Sequence, residues 1–82
     1  MDLLLRTTQQ LVPTLVGARK KKGLTQKLLA DKVGLSQSRV SYLEKNPGEM
    51  TLDQLFNIYA VLGLDLVTRL RGSAQPSNEA DW

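Results

Sequence analysis

Apolar residues recur every third or fourth position through most of this chain, and glycines punctuate the pattern. The clearest stretch runs from Thr25 to Glu44. Thr25 is a good helix cap, because its hydroxyl oxygen accepts a free backbone N–H. Leu28, Leu29 and Val33 follow at helical spacing, and Gly34 supplies the stop. Ser36 caps again. Val40 and Leu43, with Leu35 behind them, give the second helix its buried side. Its other side carries Gln37, Ser38, Arg39, Ser41 and Tyr42. The pattern predicts a helix over about residues 25–33, a short turn, and a helix over about 36–45.

The flanks extend the helical reading. Thr8 is the expected cap of a first helix ending near Lys22, with Leu11, Leu15 and Ala18 as its inner stripe. Pro13 is harmless in a first turn and costly deeper in, so this helix either starts late or bends there. Gly17 permits close packing against a neighbour, and Gly23 ends the helix. Asn46 to Met50 is a loop by composition. Thr51 and Gln54 form a capping box for a fourth helix, whose apolar positions are Leu52, Leu55, Phe56, Ile58, Tyr59 and Leu62. Gly63 stops it.

From Leu64 to Arg71 the period changes to two: Leu64, Leu66, Thr68 and Leu70 alternate with Asp65, Val67, Arg69 and Arg71. This is a strand pattern. A strand needs a partner for its backbone groups. Either Leu3–Arg6, itself a short strand or a lead-in to the core, or the same strand of a second subunit meets that need. The second is preferred: a helix, a short turn and a second helix fronted by amides, hydroxyls and a guanidinium suit reading DNA base edges, and helix–turn–helix readers usually bind as two-fold dimers. The expected dimer residues are Leu64, Leu66, Val67, Thr68 and Leu70. Residues 1–71 thus read as one DNA-binding and dimerisation domain. Residues 72–82 read as a flexible tail, polar and acidic, closing on the chain's single Trp, Trp82.

Charge and composition sharpen this picture. The net charge is +3 over 82 residues. Between residues 19 and 45, Arg19, Lys20, Lys21, Lys22, Lys27, Lys32, Arg39 and Lys45 face only Asp31 and Glu44. A basic run is usually a solvated helix face. Beside a helix with a polar front, it reads as a footprint for phosphate. The chain has no Cys and no His, so thiolate chemistry, the commonest general base and the commonest zinc ligand are absent. The carboxylates are scattered at caps and surfaces, and Glu44 is expected to orient a nearby Arg or Lys. Neither an enzyme nor a cofactor is expected, and no segment reads as a membrane span or signal peptide.

For duplex DNA the candidates divide by task. Gln37, Ser38 and Ser41 front the second helix of the pair and suit base edges, with glutamine matched to adenine. Arg39 suits guanine or a phosphate. Thr25 and Gln26, at a helix N-terminus, and Lys27 suit phosphate. Lys45 and Asn46, just past the reading helix, suit the backbone as well. Ser36 is a phosphate candidate whose first task is capping, and Tyr42 either packs or bonds a phosphate.

Gly23-Leu24-Thr25-Gln26, Leu29-Ala30, Gly34-Leu35-Ser36 and Val40-Ser41-x-x-Glu44, all in one register, resemble the lambda-repressor-like (Xre-type) helix–turn–helix family. The match runs from about Leu15 to Leu64. Leu28 departs from it, standing where a polar residue is common. The resemblance implies an all-α domain of four to five helices that contacts phosphate through the Thr25-Gln26 pair. With its C-terminal strand and its tail ending in Trp, the chain looks like a HipB-type antitoxin. That implies one strand pairing across a homodimer, a palindromic operator, autoregulation, and a HipA-like kinase toxin as the partner of Trp82. It also implies work on the nucleoid in a bacterial cytoplasm. The alternatives are a stand-alone phage-type or housekeeping repressor, and a protein-interaction adaptor.

Overall fold

The computed structural model describes residues 3–72. Its helices are α1 (Leu11–Lys21), α2 (Gln26–Val33), α3 (Gln37–Lys45) and α4 (Leu52–Leu62). Single 3-10 turns at Thr8–Gln10 and Pro47–Glu49 precede α1 and α4. The first helix is therefore not one continuous element from Thr8. Thr7, not Thr8, caps the leading 3-10 turn, where the Gln10 side chain accepts from the Thr7 N–H at 3.0 Å, and Gln10 holds the cap position of α1. Pro13 falls in the first turn of α1, where its missing N–H removes no bond within the helix.

Side-chain caps set the three later helix starts. Thr25 accepts from the Leu28 N–H at 3.1 Å, and Ser36 from the Arg39 N–H at 3.1 Å. Thr51 accepts from Gln54 N–H at 3.0 Å while Gln54 accepts from Thr51 N–H at 2.9 Å, the reciprocal box its spacing implies. Gly34 takes φ 73°, a left-handed conformation that costs glycine nothing. It lets the Leu35 N–H return to the Ala30 carbonyl at 2.9 Å and turns the chain from α2 into α3. The pair Gly63-Leu64 closes α4 in the same way, through Leu64 N–H to the Tyr59 carbonyl at 2.9 Å.

The core joins Leu11 and Leu15 of α1, Leu29 and Ala30 of α2, Val40 of α3, and Ile58, Tyr59 and Leu62 of α4. Leu5, Ala18, Leu24, Val33, Leu35, Met50, Leu55, Val61 and Leu64 pack around it. Leu24 and Leu35 each follow a turn glycine, so the residues that end the helices also seal the core.

Several expectations need correction. Gly17 lies against open space, with no atom within 4 Å of where a Cβ would stand, so it makes no close approach. Leu52 and Phe56 do not join the core; they are 70% and 53% exposed, because Ile58, Tyr59 and Leu62 define the packed side of α4. Arg19 does not belong to the basic footprint for phosphate expected over residues 19–45. It is buried on the α1 stripe, four residues beyond Leu15. No strand forms among the described residues, and residues 64–70 are irregular. A strand exists only as part of a ladder, and residues 3–6 do not supply one. Of the residues assigned to a dimer strand, Leu64 packs on its own chain's core, while Leu66, Val67, Thr68 and Leu70 are exposed. Trp82 and the tail from residue 73 lie outside the described residues.

Candidate nucleic-acid interface

α3 packs on α2, with Val40 and Leu43 turned into the protein. Helical periodicity then lays the remaining side chains of α3 along one outer arc, in the order Gln37, Ser41, Lys45, Ser38, Tyr42, Arg39. All are exposed except Ser41, which is half-buried. The four candidates for base edges, Gln37, Ser38, Arg39 and Ser41, thus share a surface. Arg39 lies at its edge with its guanidinium carbon 5.5 Å from the centre of the Tyr42 ring, a cation–π arrangement. Tyr42 is 45% exposed, and its ring faces the Arg39 guanidinium.

The candidates for phosphate lie at the start of α2, at the two ends of α3 and, for Lys45, on the arc itself. Thr25 caps the exposed start of α2, and Gln26 is its first residue. Lys27 is exposed, with Nζ 3.7 Å from Asp31 Oδ2 one turn on. Both groups are mostly in water, so the pair is worth little. Ser36 caps α3 and lies 3.3 Å from the Ser38 hydroxyl. Lys45 is exposed in the last turn of α3. Asn46 spends side-chain donor capacity on the Tyr42 carbonyl at 2.9 Å, closing the helix end, and its backbone N–H bonds the same carbonyl. Lys20, Lys21 and Lys22 are exposed at the C-terminal end of α1, where positive charge also offsets the helix dipole.

Beneath the surface lies a polar brace that residue patterns do not reveal in full. Arg19 Nε donates to Glu44 Oε2 at 2.7 Å, and Arg19 Nη2 to Glu44 Oε1 at 3.3 Å. Arg19 Nη1 donates to the Leu24 carbonyl at 3.0 Å, and Gln26 Nε2 to Glu44 Oε1 at 2.9 Å. The brace ties α1, the turn before α2, the start of α2 and the end of α3. Glu44 orients an arginine, as expected, but the partner comes from α1. The signal for Arg19 was its place on the Leu11–Leu15 stripe.

Among the described residues no group of three His, Cys, Asp or Glu side chains could hold a metal ion, and no helix is long and apolar enough to cross a membrane.

Known proteins are similar to this chain in sequence and fold. Residues 17–68 match the Helix-turn-helix (HTH_3) family. The chain is 33% identical over 69 residues to Antitoxin HipB of Escherichia coli (strain K12), a match covering 84% of this chain and 78% of that protein. A solved chain described as part of a HipB-O1-O2 complex superposes with a TM-score of 0.74 at 31% identity, covering 82% of this chain and 97% of that one. The capped α2–turn–α3 unit, its polar outer arc and these matches together place the chain in the Xre-like helix–turn–helix family of DNA-binding proteins, with HipB antitoxin among its relatives.

Proposed function

We propose that the chain is a sequence-specific transcriptional repressor, the antitoxin of a HipA-like kinase toxin, and that it autoregulates the operon encoding both. The observation that carries this reading is the polar arc of α3 held over a buried brace, in a chain similar along nearly the whole length of a HipB chain from a HipB-O1-O2 complex. Gln37, Ser38, Arg39 and Ser41 read base edges in the major groove. Thr25, Gln26, Lys27, Ser36, Lys45 and Asn46 hold phosphates and set register.

Two copies act on a palindromic operator in the bacterial cytoplasm. Leu66, Val67 and Leu70 are 44%, 74% and 44% exposed, and with Thr68 they would pair antiparallel with a second copy. That pairing would satisfy backbone groups that have no ladder among the described residues. Trp82 would anchor the toxin.

The test is fluorescence anisotropy with duplex from upstream of the protein's own gene, against shuffled duplex, across a salt series. Strong preference for one palindrome, with affinity falling steeply in salt, supports the repressor. Equal binding to both duplexes, or none, refutes it. Copurification of a kinase separates an antitoxin from a stand-alone repressor.

A further inference from the structure

Glu44 lies in the last turn of the reading helix, yet its carboxylate does not face outward; the side chain is only 8% exposed. Oε1 accepts from Gln26 Nε2 at 2.9 Å and from Arg19 Nη2 at 3.3 Å, while Oε2 accepts from Arg19 Nε at 2.7 Å. The guanidinium is itself held by the Leu24 carbonyl at 3.0 Å. Among the described residues no buried side-chain nitrogen or oxygen lacks a partner. One N–H of the Gln26 amide is thus committed to a fixed carboxylate. Its second N–H and its Oε1 remain at the first turn of α2.

An unrestrained glutamine at a helix start samples several rotamers and loses that freedom when it binds. Here the freedom is already lost in the free protein. A buried carboxylate is a strong acceptor, and its orientation is set by a guanidinium fork. Direct contact between Glu44 and a phosphate is excluded by burial and by charge.

We propose that Glu44, fixed by Arg19, is a positioning residue for DNA: it pre-orients the Gln26 carboxamide so that the free N–H meets a phosphate oxygen at the N-terminus of α2. This inference rests on the DNA-reading function proposed above and names residues within it that act without touching DNA.

The test is a double-mutant cycle on operator affinity, with Gln26→Ala, Glu44→Gln and the double variant, each checked by urea unfolding. Glu44→Gln keeps an oxygen for Arg19 but can turn an amide N–H toward Gln26, which sets donor against donor. Gln26→Ala is expected to weaken operator binding about fivefold, the worth of one hydrogen bond. Glu44→Gln is expected to weaken it similarly, and the double variant no more than Gln26→Ala alone. A carboxylate that only stabilises the fold would weaken binding equally in both backgrounds, so additive losses overturn the proposal.

If Glu44→Gln fails to fold, nuclear magnetic resonance of the 15N-labelled wild type decides. The Gln26 side-chain amide protons are expected away from free-glutamine positions, and they should move when operator is added. Free-glutamine positions, or no movement, overturn the proposal. A wild type that binds no duplex removes the DNA-reading function itself, whereas a binding wild type with additive losses removes only the positioning role.

Discussion

Arg19 and Glu44 stand 25 residues apart in the chain and meet through two hydrogen bonds, with their side chains 11% and 8% exposed. The guanidinium fork matches the carboxylate, and the Leu24 carbonyl and the Gln26 amide occupy further positions around the pair. Taking two charges out of water is costly, and only this degree of pairing offsets it.

The pair therefore predicts an asymmetry in stability. Glu44→Ala strands a buried guanidinium and should cost about 3–5 kcal/mol. A domain of this size has only about 0.05–0.15 kcal/mol per residue in total, so this variant sits near the edge of unfolding. Replacing both partners with apolar groups, as in Arg19→Met with Glu44→Leu, should recover most of the loss. Urea denaturation checks the order. A double variant less stable than Glu44→Ala would show that the pair contributes more than mutual neutralisation.

On the DNA side, selectivity and affinity should separate. Gln37 stands at one edge of the exposed arc of α3, and Gln37→Ala should cost about 1–3 kcal/mol on the operator and little on random duplex. Lys45→Ala should weaken both alike and flatten the salt slope by about one unit. Titrations on both duplexes at several salt concentrations read the two effects. Equal losses for Gln37→Ala on operator and random DNA would contradict its assignment to bases.

Association between copies should depend on residues 64–70. Val67→Pro removes a backbone donor from any ladder formed there, so dimerisation and operator binding should fall together. Half-sites should then lie about 10 bp apart or a multiple of that. Sedimentation of the wild type as a monomer at working concentration would rule out the pairing.

The C-terminal tail should matter to a protein partner and not to DNA. It contains no basic residue after Arg71 and carries Glu79, Asp81 and Trp82. Deleting residues 78–82 should leave operator affinity unchanged and weaken toxin binding, as should Trp82→Ala. Calorimetry against operator and toxin separately measures both. Toxin binding equal to wild type in both variants would remove Trp82 as an anchor.

What was legible in the sequence follows physical range. Caps and stops are local, so Thr25, Ser36, the Thr51–Gln54 box, Gly34 and Gly63 could be placed from neighbours alone. The arc of α3 followed from periodicity. The Arg19–Glu44 contact spans 25 residues, and a run of four cations hid the one that shares a face with Leu11 and Leu15. Thr7 took the cap from Thr8 because the Gln10 side chain reaches its N–H across a 3-10 turn, a geometry that spacing alone does not distinguish. Leu52 and Phe56 looked like core because an apolar residue at a helical interval carries no mark of which side the neighbours occupy. The alternation from Leu64 pointed to a strand, yet residues 64–70 are irregular, because a period of two gives a side-chain pattern and not the second segment that a ladder requires.

The division of α3 bears on how such regulators diverge. Folding draws on Val40, Leu43 and Glu44, while the outer arc from Gln37 to Arg39 contributes nothing to the core. Under the base-reading role proposed for the arc, substitutions at its exposed positions would cost little stability, and duplicated copies of the gene would acquire separate DNA preferences by changing those positions. Two sister regulators in one cell would become insulated from each other's promoters long before either lost its architecture. The same partition makes α3 a site for transplantation: an arc taken from another family member, set on this core, should carry its own operator preference with it.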